Sequence, residues 1–449
     1  MPRNVAEGRA LVSTHASRGR KVLRVFDGLH GLQVVQPAGG ESVEQTITAC
    51  RTTGLVSWAE PDYQVTAAAS LPNDPYFQNG TQWWLNNYGQ NGGMPDADLD
   101  APEAWEVTHA AINVVVAVVD SGVRPTHEDL ADNLWRNPAD GTPGFNALTG
   151  QHDPWDENGH GTHLAGIIGA VGNNGRGIAG LAWRTQVMAC KFLDAAGNGY
   201  ISDAVECIEF ARQHGARVLN LSWGNSEFSA ALSNALAAAR ADGIAVAAAA
   251  GNNAANLDLL PYYPASLVMD NIVAVGASTR TDEPWILSSY GKTAVHLFAP
   301  GVAIYSTSQS TDSAYQTRDG TSMAAACVAG TLALMLQRWP NAQLDALRAR
   351  LLLSVDAKSA LTERCVTGGR LNLRKTIDQP TLAMAWSNQL AQITAFGVPG
   401  HTYTIAASTN LNSWTPLSAY RTKPDGRWFF TDFESTNFPA RFYRADPGP

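Results

Sequence analysis

Cysteine is scarce in this chain of 449 residues: there are five, Cys50, Cys190, Cys207, Cys327 and Cys365. They are too few and too irregularly spaced for a disulfide scaffold, and an odd number leaves at least one unpaired within a monomer. Most read as small buried apolar residues. Charge is sparse as well. Asp, Glu, Lys and Arg make up 16% of the chain and the formal net charge is −9, which argues against a polyanion-binding surface and against a disordered chain. No apolar run approaches membrane-spanning length, and residues 1–17 (MPRNVAEGRALVSTHAS) hold no apolar core of a secretory leader. An HExxH pattern is missing too. The pair His160 and His163, which share a helix face and have Asp156 nearby, therefore lacks the further ligand motif that a metal-dependent hydrolase would bring. What is left has material for roughly two to four soluble domains with a large core.

The most informative stretch that is present reads Asp319-Gly320-Thr321-Ser322-Met323-Ala324-Ala325-Ala326. It sets a serine between a glycine turn and a long run of small apolar residues, 323–336, expected to be a buried helix. A hydroxyl at a helix N-terminus lies in a field that favours developing negative charge. Such a serine needs a base, and the base needs an orienter. Residues 112–119 (INVVVAVV) form an unbroken β-branched run, the mark of a strand buried on both faces of a parallel sheet. Asp120 follows at its carboxyl end, where open α/β sheets place their active sites. The base candidate is His160, set between Gly159 and Gly161 ahead of a helix-like run from Leu164. His163 reads as packing support. A second buried strand, 244–250, ends at Gly251-Asn252, and the Asn252 amide is placed to donate to an oxyanion together with the Ser322 N–H.

Taken together, VAVVDSG, GHGTHLAG, NLSWG, AAAAGN and GTSMAAA resemble, in order, the motifs of the subtilisin-like serine proteases, the subtilase family. The resemblance covers roughly residues 71–375. It implies an α/β, three-layer fold with a central, mostly parallel sheet. It also implies a serine endopeptidase working through an acyl-enzyme, with Asp120 as orienter, His160 as general base, Ser322 as nucleophile and Asn252 as oxyanion donor. One departure stands out: the family usually has Pro-His after Ser-Met-Ala-Ala, and this chain has Ala326-Cys327. Alanine suits a helix better than proline. Cys327, five residues on, is turned about 140° away from Ser322. The intact set speaks against the alternative of a catalytically inactive, binding-only relative.

Residues 1–70 resemble the inhibitory propeptide of subtilases, a small α+β domain with a closing strand over 55–63 (LVSWAEPDY) and a small-residue tail, 64–70 (QVTAAAS). The chain is accordingly expected to be a self-cleaving zymogen, cut between Val65 and Leu71, monomeric, extracytoplasmic, and inhibited by its own propeptide until cleaved. Its expected partners are polypeptide substrates, not nucleic acid or membrane. The catalytic domain is expected over 71–378 and a small all-β domain over 379–449, where alternating runs lie among Gly, Pro and Asn turns.

The opening of the catalytic domain (PNDPY, QWWLNN, DAPEAW) looks like that of thermitase-like subtilases. That resemblance implies a structural calcium ion held by Asp74, Asp129 and Asn174 with carbonyls of 171–178, an oxygen set of the kind calcium prefers. It likewise implies that Ser222, Trp223 and Gly224 form the edge strand that pairs with substrate. Residues 248–251, Ala249 and Gly251 among them, form the opposite wall, with Tyr262-Tyr263-Pro264 at the pocket floor and a candidate cis bond before Pro264. Small uncharged walls point to an apolar or aromatic side chain before the scissile bond, and the lack of an acidic cluster there argues against dibasic processing.

Overall fold

A computed structural model describes residue 2 and residues 4–62, 71–378, 380–398, 400–423 and 426–447. It falls into two compact units, Met1–Ala68 and Ala69–Pro449. Residues 64–70, the expected tail in which the cut was placed, lie outside the described residues.

The first unit holds helix α1 (Val5–Ser17), an antiparallel pair β1 (Lys21–Phe26) and β2 (Leu32–Gln36), and helix α2 (Val43–Thr52). Asn4 caps α1 by accepting the Glu7 N–H at 3.0 Å. Ser42 and Gln45 form a reciprocal capping box on α2, satisfying donors that a helix start leaves open. The closing strand expected over 55–63 is not found in the described part of that stretch. Val56 makes a single isolated bridge, to Pro2, and Pro61 has no N–H to give a ladder.

The second unit opens with short helices α3 (Pro75–Gln78) and α4 (Ala101–Trp105). Strands and helices then follow in the order β3 (Ala110–Asp120), β4 (Gly144–Asn146), α5 (His160–Gly169), β5 (Arg184–Lys191), α6 (Ile201–Gln213), β6 (Ala216–Leu221), α7 (Ala230–Ala241), β7 (Ala245–Ala249), β8 (Ile272–Ser278) and β9 (Leu297–Pro300). A hairpin of β10 (Ile304–Thr307) and β11 (Tyr315–Arg318) leads into α8 (Thr321–Arg338). Helix α9 (Leu344–Leu353), the strand pair β12 (Asp356–Ala357) and β13 (Gly369–Arg370), and α10 (Leu373–Ile377) follow. The main sheet runs β12-β13-β9-β8-β7-β6-β3-β5-β4, parallel throughout except at β12–β13.

The unbroken apolar run of β3 now has its explanation. Val114, Val116 and Val118 pack into a core with α5 and α8, while Val115, Ala117 and Val119 pack into a second core with α6 and α7. Successive side chains point to opposite faces, so a strand covered by helices on both sides needs apolar residues at every position. The same parity aims Asp120, next after Val116 and Val118, toward the side of α5 and α8. His160 begins one of those helices and Ser322 lies in the first turn of the other.

Beyond α10 the chain forms two three-stranded antiparallel sheets, from β14 (Thr381–Ser387), β15 (Leu390–Phe396), β16 (Thr402–Ser408), β17 (Thr415–Arg421), β18 (Arg427–Asp432) and β19 (Phe442–Pro447). They enclose a small core of Ile393, Ala395, Tyr403, Ile405 and Trp428. This part belongs to the second compact unit, and Arg427 reaches back to Asp345 of α9 at 3.0 Å.

Candidate active site

Asp120 is wholly buried at the end of β3. Its Oδ1 lies 2.8 Å from His160 Nδ1 and accepts the Ser121 N–H at 2.8 Å. The imidazole is 21% exposed, so one ring nitrogen is fixed against a carboxylate while the ring keeps access to the cleft. The start of α5 is built for this placement. Asp156 Oδ1 accepts from the N–H groups of Asn158 and Gly159, and its Oδ2 accepts from the Thr162 N–H and hydroxyl, which holds the first turn of the helix. Gly159 has φ +92°, and a side chain on Gly161 would strike the Gly122 carbonyl. The glycines flanking His160 are therefore required by backbone conformation and by close approach.

Ser322, almost fully buried in the first turn of α8, donates from Oγ to the Ser222 carbonyl at 3.1 Å, and its own carbonyl accepts from Ser222 Oγ at 3.0 Å. In this structure the hydroxyl bonds to the β6 edge rather than to the imidazole; catalytic hydrogen bonds often tighten only when substrate is bound. Asn252 follows β7. Its Oδ1 accepts from the Thr321 N–H at 3.0 Å and the Thr321 hydroxyl at 2.9 Å, which leaves the amide nitrogen facing elsewhere. A Cβ built on Gly320 would lie 3.4 Å from Asn252 Nδ2 and 3.6 Å from the Ser322 nitrogen, so two N–H donors flank one small space beside the hydroxyl. Chemically, an imidazole held by a carboxylate is a proton acceptor, and paired N–H groups are donors for an oxyanion.

The residues predicted to bind substrate fall into two groups. Gly224 and Gly251 both lie against the Cε1 edge of the Tyr262 ring, close enough that a side chain on Gly224 would collide with it, and the Tyr263–Pro264 peptide is cis. Trp223 and Ala249 are different. Trp223 donates from Nε1 to the Val119 carbonyl at 2.8 Å and packs on Phe192, so its ring anchors the strand edge. Ala249 shares the parity of Ala245 and Ala247 and puts its methyl into the core beneath α8, leaving only its backbone for a pocket wall.

Asp74 and Asp129 are both buried without exposure, and neither has an ion-pair partner among the described residues. Burial, with the neighbouring Asp129 charge adding to it, pushes Asp74 up to about 6, and burial raises Asp129 as well. Asn174 is brought to them: its N–H lies 3.5 Å from Asp74 Oδ1, and its Nδ2 donates to Asp129 Oδ1 at 2.8 Å. Two buried carboxylates are oxygen ligands of the kind a hard divalent cation takes; here hydrogen bonds meet them, from the Asn173 N–H to Asp74 and from the Ile178 N–H and the Tyr315 hydroxyl to Asp129, and the Asn174 Oδ1 accepts the Arg176 N–H. Among the described residues no three His, Cys, Asp or Glu side chains cluster as a metal site. His163 is not gathered with His160 and Asp156 into a ligand set, since its Nε2 bonds to the carbonyls of Ile304 and Gln316 at 3.1 and 3.2 Å.

Sequence reasoning missed three supports. Thr321 links Asn252 to the Gly251 N–H, which its hydroxyl accepts at 3.1 Å. Gln309 Nε2 holds the Asn158 carbonyl at 3.0 Å. Lys191, buried opposite Asp120 in the β3–β5 register, donates to the Ser121 carbonyl at 2.8 Å, to Glu157 at 2.7 Å and to the Leu193 carbonyl at 3.1 Å. A lysine closing the apolar run Val187–Cys190 of β5 was the signal available for it.

A carboxylate, an imidazole and a hydroxyl in that chain order, along the carboxyl edge of a parallel sheet, define the class of serine hydrolases on open α/β folds. Residues 111–372 match the model of the subtilase family. Curated relatives include a thermophilic serine proteinase of Bacillus sp. (strain AK1), 39% identical over 67% of this chain and 68% of its own length. Another is thermitase of Thermoactinomyces vulgaris, 35% identical over 68% of this chain and 99% of its own. Among solved structures, a protease from Pseudoalteromonas arctica superposes with a TM-score of 0.58 at 30% identity, covering 69% of this chain and 99% of that one. The chain belongs to the subtilase family of serine proteases.

Proposed function

We propose that the chain is a serine endopeptidase in which Ser322 attacks the scissile carbonyl, His160 takes its proton and Asp120 holds the imidazole in register. The 2.8 Å pairing of His160 Nδ1 with a wholly buried Asp120 carries this reading. It fixes the tautomer and leaves Nε2 as the proton acceptor. The oxyanion then sits between Asn252 Nδ2 and the Ser322 N–H. His160 passes the proton to the leaving amine, and a water, activated by the same ring, releases the acyl group from Ser322. The residue before the scissile bond enters beside Gly224 and Gly251, against the Tyr262 ring that both glycines approach, small walls that favour an apolar or aromatic side chain.

The resemblance of 1–70 to a propeptide supports a zymogen that cuts itself between residues 65 and 71 and works outside the cytoplasm. No helix among the described residues is long and apolar enough to cross a membrane. Intact mass and N-terminal sequencing of wild-type and Ser322→Ala protein test both points. A new N-terminus near Leu71 in wild type alone is expected. Identical, unprocessed chains together with failure to hydrolyse an aromatic peptide substrate would overturn the reading.

Asp74, Asp129 and Asn174, with carbonyls of the 171–178 loop, are the residues that would hold calcium. The ion would neutralise the paired carboxylates and tie the start of the catalytic unit to that loop. Chelator is expected to lower the melting temperature of Ser322→Ala protein, with calcium restoring it; no shift would remove the site.

A further inference from the structure

Three cations stand near the His160 side of the cleft, and they are not in the same state. Arg124 is paired with Asp312 at 2.6 Å and lies over the Trp155 ring. Lys191 is paired with Glu157 at 2.7 Å. Arg318, at the end of β11 and four residues before Ser322, has no ion-pair partner among the described residues. Its Nη2 lies 3.4 Å from the Asn158 carbonyl. The Gln316 amide, turned so that its oxygen faces the guanidinium, accepts from Nε at 3.1 Å and from Nη2 at 3.2 Å. Burial lowers the Arg318 pKa, with Asp156 and Asp120 opposing that shift from a distance. The Asp156 oxygens are already taken by four donors of the His160 loop and helix, and Asp319 accepts the Ala303 N–H at 2.6 Å.

The position of this unspent charge has a direction. Asn158, which Arg318 touches, is two residues before the base and also accepts the His160 N–H at 3.2 Å. The acyl side of the cleft lies elsewhere, at Gly224, Gly251 and Tyr262. In the mechanism proposed above His160 delivers its proton to the leaving amine, so the chain beyond the scissile bond departs on the His160 side, where Arg318 touches Asn158. A half-buried guanidinium is weakly hydrated and presents a planar fork that fits a carboxylate.

We infer that Arg318 is a specificity-determining residue that favours substrates with Asp or Glu immediately after the scissile bond. This rests on the serine-protease reading above and deepens it. The test uses three quenched fluorescent peptides that are identical except for Glu, Gln or Lys at that position, with kcat/KM measured for wild type, Arg318→Lys, Arg318→Leu and Arg318→Glu. Because the ratio is taken within each enzyme, any loss of folded protein cancels. Wild type is expected to prefer Glu over Lys by about five- to tenfold, and the preference should shrink with added salt. Arg318→Lys should retain the sign, Arg318→Leu should bring the ratio near one, and Arg318→Glu should reverse it. Cleavage of the Gln peptide with the same Glu-to-Lys ratio in wild type and Arg318→Leu would overturn the assignment alone. No cleavage of any peptide by processed wild-type protein would overturn both the assignment and the reading beneath it.

Discussion

His160 and His163 stand three residues apart on the first turn of one helix, on nearly the same face, yet they are chemically opposite. His160 has a carboxylate against Nδ1 and is open to the cleft. His163 is fully buried, its Nε2 set against two neutral carbonyls of the β10–β11 hairpin, and its Nδ1 has no hydrogen-bond partner among the described residues. Burial first, then the charges of Arg318 and His160, push His163 down to about 3. In the mechanism proposed above the same ring is thus a proton carrier in one place, and it is a fixed hydrogen-bond donor in the other. What separates them is the charge of the partner and the access of water, neither of which is a property of the helix.

The sharpest way to break the contrast is to remove each ring in turn. His160→Ala should lower kcat by about 10⁶-fold, the size that loss of this histidine has in subtilisin itself, while the melting temperature stays close to that of wild type. The two readouts are single-turnover hydrolysis of an aromatic peptide and thermal unfolding. A His160→Ala protein that kept substantial activity would mean that the base lies elsewhere.

His163→Leu should show the reverse pattern. It strips the hairpin carbonyls of Ile304 and Gln316 of their buried donor, so a loss of about 1–3 kcal/mol is expected. Urea unfolding in the Ser322→Ala background, which removes self-digestion, checks it. Activity of the folded fraction should fall far less than in His160→Ala. A rate loss matching that of His160→Ala, with stability unchanged, would make His163 a reacting group and erase the distinction.

Much of this site was readable before any coordinates, for identifiable reasons. Asp120 ends a run that can only be a strand buried on both faces. Gly159 and Gly161 mark the tight entry to the His160 helix, and Gly320-Thr321-Ser322 heads the longest helix among the described residues. Each signal is local. The lysine that ends the apolar run of β5 was a visible signal, but the roles of Arg318 and Lys191 were not readable, because they depend on Asn158 and Ser121, far from them in sequence and near only once β11 and β5 are laid in place. Helix α1 was missed for the opposite reason. Its apolar residues do not gather on one face, and Gly8 interrupts it. The strand over 55–63 was expected from resemblance to subtilase propeptides, and the described residues there form a single bridge instead.

The smallest effect is also the most specific to a neutral, buried His163. With a folded pKa of about 3 against an ordinary value near 6.5, the unfolded chain takes up a proton below pH 6.5 that the folded chain refuses. Stability tied to this ring is therefore fully present above pH 6.5 and drains away as pH falls toward 3. His163→Leu has no proton to refuse. The stability gap between it and its Ser322→Ala parent should consequently be widest near pH 7 and should narrow by about 1 kcal/mol per pH unit on the way to pH 5. His296, also buried and pushed down to about 3, contributes the same slope to both proteins and cancels from the comparison. A gap that stayed constant from pH 7 to pH 5 would show that His163 titrates alike in folded and unfolded chains. The difference between the two histidines would then reduce to position alone.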